Sequence, residues 1–66
     1  MKMTLYTIGC PQCKVLEAKL DHRNFDFEIV TDVEVMKQLG FQQAPMLQVD
    51  DKIMNFSQAI EWLKNN

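Results

Sequence analysis

A chain of 66 residues has room for one domain, and a domain this short buries only about 60% of the surface that its unfolded form exposes. With 47% hydrophobic and 24% charged residues, and two Gly and two Pro, it is neither a disordered nor a fibrous sequence. The net charge is −2, acids and bases are interspersed and no basic run occurs, which excludes a nucleic-acid binder that works by neutralising phosphates.

In chain order, Met3 to Thr7 alternates and is rich in strand formers, so it predicts a strand. Ile8-Gly9 breaks the pattern, and Pro11 suits the first turn of a helix, where its missing N–H costs nothing. That helix is expected to run to about Asp21, with Val15, Leu16, Ala18 and Leu20 on its apolar face and Lys14, Glu17 and Lys19 in water. His22-Arg23-Asn24 closes it. Phe25 to Val30 alternates again, with Phe25, Phe27 and Ile29 facing one way and Asp26 and Glu28 the other. Thr31-Asp32-Val33-Glu34 fits a capping box for a short helix with Val33, Met36 and Leu39 on one stripe and Gly40 as its stop.

After Phe41-Gln42-Gln43-Ala44, Pro45 leads into a strand at Met46 to Val49. Asp50-Asp51 suits a hairpin turn, Lys52 to Asn55 the return strand, and Ser57 the cap of a final helix. Ala59, Ile60 and Leu63 are expected to pack inward there, with Trp62 close to that stripe. The expected architecture is a four-stranded mixed sheet flanked by three helices in the order β-α-β-α-β-β-α, an α/β fold in which a parallel pair is joined by a helix and a hairpin extends the same sheet.

The N-terminus lacks the continuous apolar stretch of an export signal, and no run approaches a membrane span. The expected setting is therefore the cytoplasm, where thiols are kept reduced, with no membrane or nucleic-acid partner and a monomeric chain. In that setting the only two cysteines, Cys10 and Cys13, form a redox-active or metal-binding pair rather than a disulfide framework.

A thiolate, not a thiol, attacks a disulfide, and a free Cys with a pKa of about 8.5 is little ionised at neutral pH. Cys10, just before Pro11, is predicted at a helix N-terminus, where unpaired N–H groups and the helix dipole favour negative charge. Cys13 lies one turn further in and is expected to be more buried. Cys10 is thus the expected nucleophile and Cys13 the resolving thiol. A zinc site is the competing reading, but structural zinc wants four ligands, and the only histidine, His22, is predicted at the far end of the same helix. Two inert buried cysteines are a further alternative. The strand-to-helix context favours redox chemistry over both.

Pro45 is a candidate cis-proline, since X-Pro bonds are the realistic place for a cis peptide, although an ordinary trans Pro opening an edge strand fits the local sequence as well. Tyr6 is read as a sheet residue, Lys14 as a solvated cation, and Met46 as either a groove residue or a gap filler in the core.

Leu5-Tyr6-Thr7, Cys10-Pro11-Gln12-Cys13, Phe25-Asp26-Phe27-Glu28 and Gly40-Phe41-Gln42-Gln43-Ala44-Pro45 occur in this order. Together they resemble the glutaredoxin branch of the thioredoxin superfamily, and within it the NrdH-redoxins, electron donors of ribonucleotide reductase. The resemblance covers nearly the whole chain. It implies a thioredoxin-like (glutaredoxin-type) fold, Cys10 as nucleophile, Cys13 as resolving thiol, Pro45 in cis and Ala44 as a backbone hydrogen-bonding partner of the substrate. Pro11 and Gln12 complete the expected substrate-contacting set. No bound cofactor is implied. Electrons are expected from thioredoxin reductase, and less readily from glutathione.

Glutathione-dependent relatives usually carry Cys-Pro-Tyr-Cys, Thr-Val-Pro and a Gly-Gly followed by acids near the last helix. This chain has Gln12, Gln43-Ala44-Pro45 and Asn55-Phe56-Ser57-Gln58 instead. NrdH-redoxins typically carry Trp-Ser-Gly-Phe-x-Pro before the last helix, where Met54-Asn55-Phe56-Ser57 stands here. The expected function is reduction of protein disulfides by dithiol exchange. A glutathione-dependent glutaredoxin is the alternative, and a non-catalytic metal- or partner-binding module is a reading of another class.

Overall fold

The computed structural model describes residues 2–66. Its elements are β1 (Met3–Tyr6), α1 (Pro11–His22), β2 (Glu28–Val30), α2 (Val33–Gln38), β3 (Met46–Val49), β4 (Lys52–Met54) and α3 (Phe56–Lys64). The four strands form one mixed sheet in the order β2-β1-β3-β4, with β1 parallel to β2 and antiparallel to β3, and β3 antiparallel to β4. This is the architecture expected from the sequence.

The pairing register sets the two faces. Leu5 lies opposite Leu47, and Leu47 opposite Met54, so these side chains share a face with Met3 and Val49. Leu16 and Leu20 of α1 and Ala59 and Leu63 of α3 close over it, and Phe25, Phe27, Phe56, Ile60 and Trp62 pack around the edge of that core. The other face carries Thr4, Tyr6 and Gln48, with Val35 of α2 alongside. There the Tyr6 ring meets Phe41 edge-on at 4.9 Å, and its hydroxyl donates to the Gln48 side chain at 3.0 Å.

Helix ends follow from local chemistry. Asn24, at φ +59°, ends α1: its N–H reaches Asp21 O at 3.0 Å and the Phe25 N–H reaches Leu20 O at 3.2 Å. Gly40, at φ +80°, ends α2 in the same way, with Gly40 N on Lys37 O and Phe41 N on Met36 O, both at 3.0 Å. That second turn throws the Phe41 ring back onto Tyr6.

Several local expectations are corrected. The second strand begins at Glu28 rather than Phe25, because the Phe25 N–H is taken by Leu20 and both phenyl rings turn into the core edge. Ile29 is half exposed, because β2 is an edge strand. On α1, Val15 and Ala18 stay exposed, and the buried stripe is Cys13, Leu16 and Leu20. The cap of α2 is Asp32, whose carboxylate accepts from Glu34 N at 2.9 Å, rather than Thr31. With only six residues in α2, Met36 alone is buried, while Val33 and Leu39 remain 51% and 48% exposed. Asn55, not Ser57, caps α3, and it does so in a reciprocal box with Gln58. Asn55 therefore belongs to the cap and not to the return strand, which ends at Met54.

Candidate active site

Thr7 follows β1 and still pairs with β2 through Thr7 N to Val30 O at 3.0 Å. Beyond it the chain must turn sharply into α1. Gly9 makes that turn at φ +78°, a conformation an L side chain rarely adopts, and its N–H donates to Thr7 Oγ1 at 3.1 Å. The turn delivers Cys10 to the N-cap of α1 in extended backbone, and Pro11 opens the first turn.

At that position Cys10 Sγ accepts the Cys13 backbone N–H at 3.2 Å, and Cys10 O accepts Lys14 N–H at 3.0 Å. The Cys10 sulfur is thus the N-cap of α1. It aims an otherwise unpaired helix N–H, at the positive end of the dipole, at the atom on which negative charge develops. Both thiols are free, Cys10 half-buried and Cys13 0% exposed.

Burial pushes the Cys13 thiol up, but hydrogen bonds with the Cys10 and Thr7 side chains and with the backbone of Ile8 and Cys10 outweigh it. The thiol is therefore held below its ordinary value. Thr7 is thus the residue that sequence reasoning missed. Its hydroxyl supports both the Gly9 turn and Cys13. The available signal was a Thr ending a strand three residues before the motif, which by itself reads as an ordinary strand former.

The Ala44–Pro45 bond is cis, and Pro45 is fully buried. The Ala44 carbonyl lies 3.9 Å from Cys10 Sγ, so the loop before β3 and the α1 N-terminus form one site although 34 residues separate them. Among the described residues no partner takes the Ala44 N–H. Pro11 and Gln12 are exposed beside the thiol, as is Ile8 at 59%. Met46 is half-buried at the start of β3. The register puts Met54 opposite Leu47, so the N-terminus of α3 begins at the same end of the sheet as Cys10. There Asn55 and Gln58 occupy each other's N–H groups at 2.9 and 2.8 Å.

His22 lies at the other end of α1, and among the described residues no group of three His, Cys, Asp or Glu side chains could hold a metal ion. Nor, among those residues, is any helix long and apolar enough to cross a membrane.

No protein-family model matches the chain, and no curated protein sequence does so. Among solved structures, the chain is similar to the glutaredoxin-like protein NrdH-redoxin from Escherichia coli, a protein described as having a thioredoxin-like activity profile. The two share 25% sequence identity and superpose with a TM-score of 0.78 over 98% of this chain and 93% of that one. The α/β fold is the thioredoxin-like one expected from the sequence, and the chain is a glutaredoxin-like redox protein of the thioredoxin superfamily.

Proposed function

We propose that this glutaredoxin-like protein reduces protein disulfides by dithiol exchange, taking its electrons from NADPH through thioredoxin reductase. The observation that carries the reading is Cys10 Sγ at the cap of α1, with the Cys13 N–H at 3.2 Å and the Ala44 carbonyl at 3.9 Å. A thiolate on Cys10 attacks one sulfur of the substrate disulfide. The other sulfur leaves as a thiolate and takes up a proton. Cys13, deprotonated in turn, attacks the Cys10 sulfur and expels the second substrate thiolate. The substrate gains two electrons and two protons, and Cys10 and Cys13 end as a disulfide that the reductase must reduce.

The exposed Pro11 and Gln12 and the backbone of Ala44 beside Pro45 supply the contact surface for an extended substrate segment. Ribonucleotide reductase is the proposed substrate and the cytoplasm the proposed setting, with the protein working as a monomer. The likeness to an NrdH-redoxin described as thioredoxin-like in activity supports this reading. So does the N-terminus of α3, where Asn55 and Gln58 satisfy the donors that the amino-acid end of glutathione would otherwise meet.

The test is turnover of a disulfide substrate with NADPH and thioredoxin reductase, set beside glutathione with glutathione reductase. Activity with the first couple is expected. Activity with glutathione alone would favour the glutathione-dependent alternative. Cys10→Ser should abolish turnover, and Cys13→Ser should trap the mixed disulfide with the substrate. Full activity in Cys10→Ser would overturn the assignment of Cys10 as the nucleophile.

A further inference from the structure

A groove of about 540 Å³ lies between α1 and α3, away from the thiols. Roughly 18 Å of helix separates Cys10 from His22 at its edge. Apolar Ala18, Ile60 and Leu63 line it together with Lys19, His22 and Lys64, and no acid does so.

The last turns of α1 and α3 both end here, so cations are expected in part as complements of the helix dipoles. Arg23, which also lines the groove, is used in that way. Its guanidinium donates to Leu63 O at 2.8 Å and to Asn66 O, capping the end of α3. Dipole complementation needs no apolar surface between the cations, and it leaves the ammonium groups of Lys19 and Lys64 free to turn towards a ligand.

Charge indicates the kind of ligand. The whole chain carries −2 from seven Lys and Arg against nine Asp and Glu. With Lys19, Arg23 and Lys64 set aside, four cations remain against the nine acids, a balance of −5. The groove is therefore a local positive site on an acidic molecule. An extended anionic surface such as a bilayer or a nucleic acid would meet the acidic remainder as well as the groove. A narrow ligand would meet the groove alone.

We infer that the α1–α3 groove docks an acidic amphipathic helix of a protein partner, its apolar side on Ala18, Ile60 and Leu63 and its carboxylates towards Lys19 and Lys64. Two helices already lie side by side there, so a third completes a helix-in-groove contact. Because this surface is remote from Cys10, a docked partner leaves the thiols open to exchange.

The probe is a fluorescein-labelled helical peptide of Leu and Glu with Leu at helical spacing. It is compared with a scrambled peptide of the same composition, a Leu and Lys analogue, and vesicles of anionic lipid. Binding is read by anisotropy and located by amide shift changes in the reduced, isotope-labelled protein. The amphipathic acidic peptide should bind best, weaken with salt, and move the amides of Ala18, Lys19, Ile60 and Leu63. Lys19→Glu with Lys64→Glu should lower affinity about tenfold or more, while Lys37→Glu on α2 should leave it unchanged. Equal binding of the scrambled or Lys peptide, stronger binding to vesicles, shifts confined to Ile8 and Ala44, or self-association of the protein through this face would each overturn the inference. Disulfide turnover is scored separately in the double variant. Retained turnover with lost peptide binding supports a docking site independent of the chemistry, and loss of turnover without loss of binding counts against it.

Discussion

Thr7 shows how one hydroxyl links backbone shape to thiol chemistry. It is 4% exposed, accepts the Gly9 N–H, and is one of the groups that hold the Cys13 thiol below its ordinary value. Cys13 is an acid whose folded-state pKa lies below that of a free Cys, so the folded state gives up this proton more readily than the unfolded chain. The resulting stabilisation is fully present above the unfolded value of about 8.5 and is lost as pH falls through the folded value. The reduced protein should therefore gain stability as pH rises through the folded value towards about 8.5. Thr7→Val keeps the side-chain shape but removes the hydroxyl. It should cost about 0.5–1.5 kcal/mol, the net worth of the hydrogen bond from the exposed Gly9 N–H, and should flatten the pH dependence. Thr7→Ser should restore the slope. Urea denaturation under reducing conditions measures both quantities, and an unchanged slope in Thr7→Val would remove the hydroxyl from the account of Cys13.

At the scale of elements, the caps separate what the sequence states from what it leaves open. Gly40 as a stop and Pro11 as a start are legible because each answers to a backbone dihedral. The choice among Thr31, Asp32, Asn55 and Ser57 is not, since all four residue types cap well and the selection depends on where the strand before them lets go. β4 releases the chain at Met54, so Asn55 stands where a cap is needed and Ser57 is already inside the helix. The Phe25–Phe27 segment escaped for a related reason. Alternation reports a half-buried ribbon, but not that a helix end has claimed the first N–H. The cap assignment predicts that Asn55→Ala costs about 1 kcal/mol and that Ser57→Ala stays within about 0.5 kcal/mol of the parent protein. Denaturation midpoints of the two variants compare them directly, and a larger loss in Ser57→Ala would return the cap to the position expected from sequence.

Across the whole molecule the two faces of the sheet are held unequally. One carries the core under α1 and α3, whereas on the other α2 buries Met36 and relies on Phe41 against Tyr6. The CxxC motif and its strand-to-helix setting were readable because they are contiguous. The contact of Cys10 with Ala44 spans 34 residues and exists only once the Phe41 turn has returned the chain to the sheet. The site is therefore built half on the stronger face and half on the weaker one. Amide hydrogen exchange should show α2, and the Gly40 and Phe41 amides that close its last turn, opening at lower free energy than β1 and β3, whose protection should follow global unfolding. An aromatic edge-to-face pair contributes about 0.5–1.5 kcal/mol beyond its burial, so Phe41→Leu should lower α2 protection by roughly that amount. Protection at Leu5 and Leu47 should fall less. The same substitution should slow disulfide exchange at Cys10, because the Ala44 backbone is positioned through this turn. Uniform protection across α2 and the central strands would mean that both faces open as one unit, and that the loop bearing Ala44 is as firmly set as the thiols it meets.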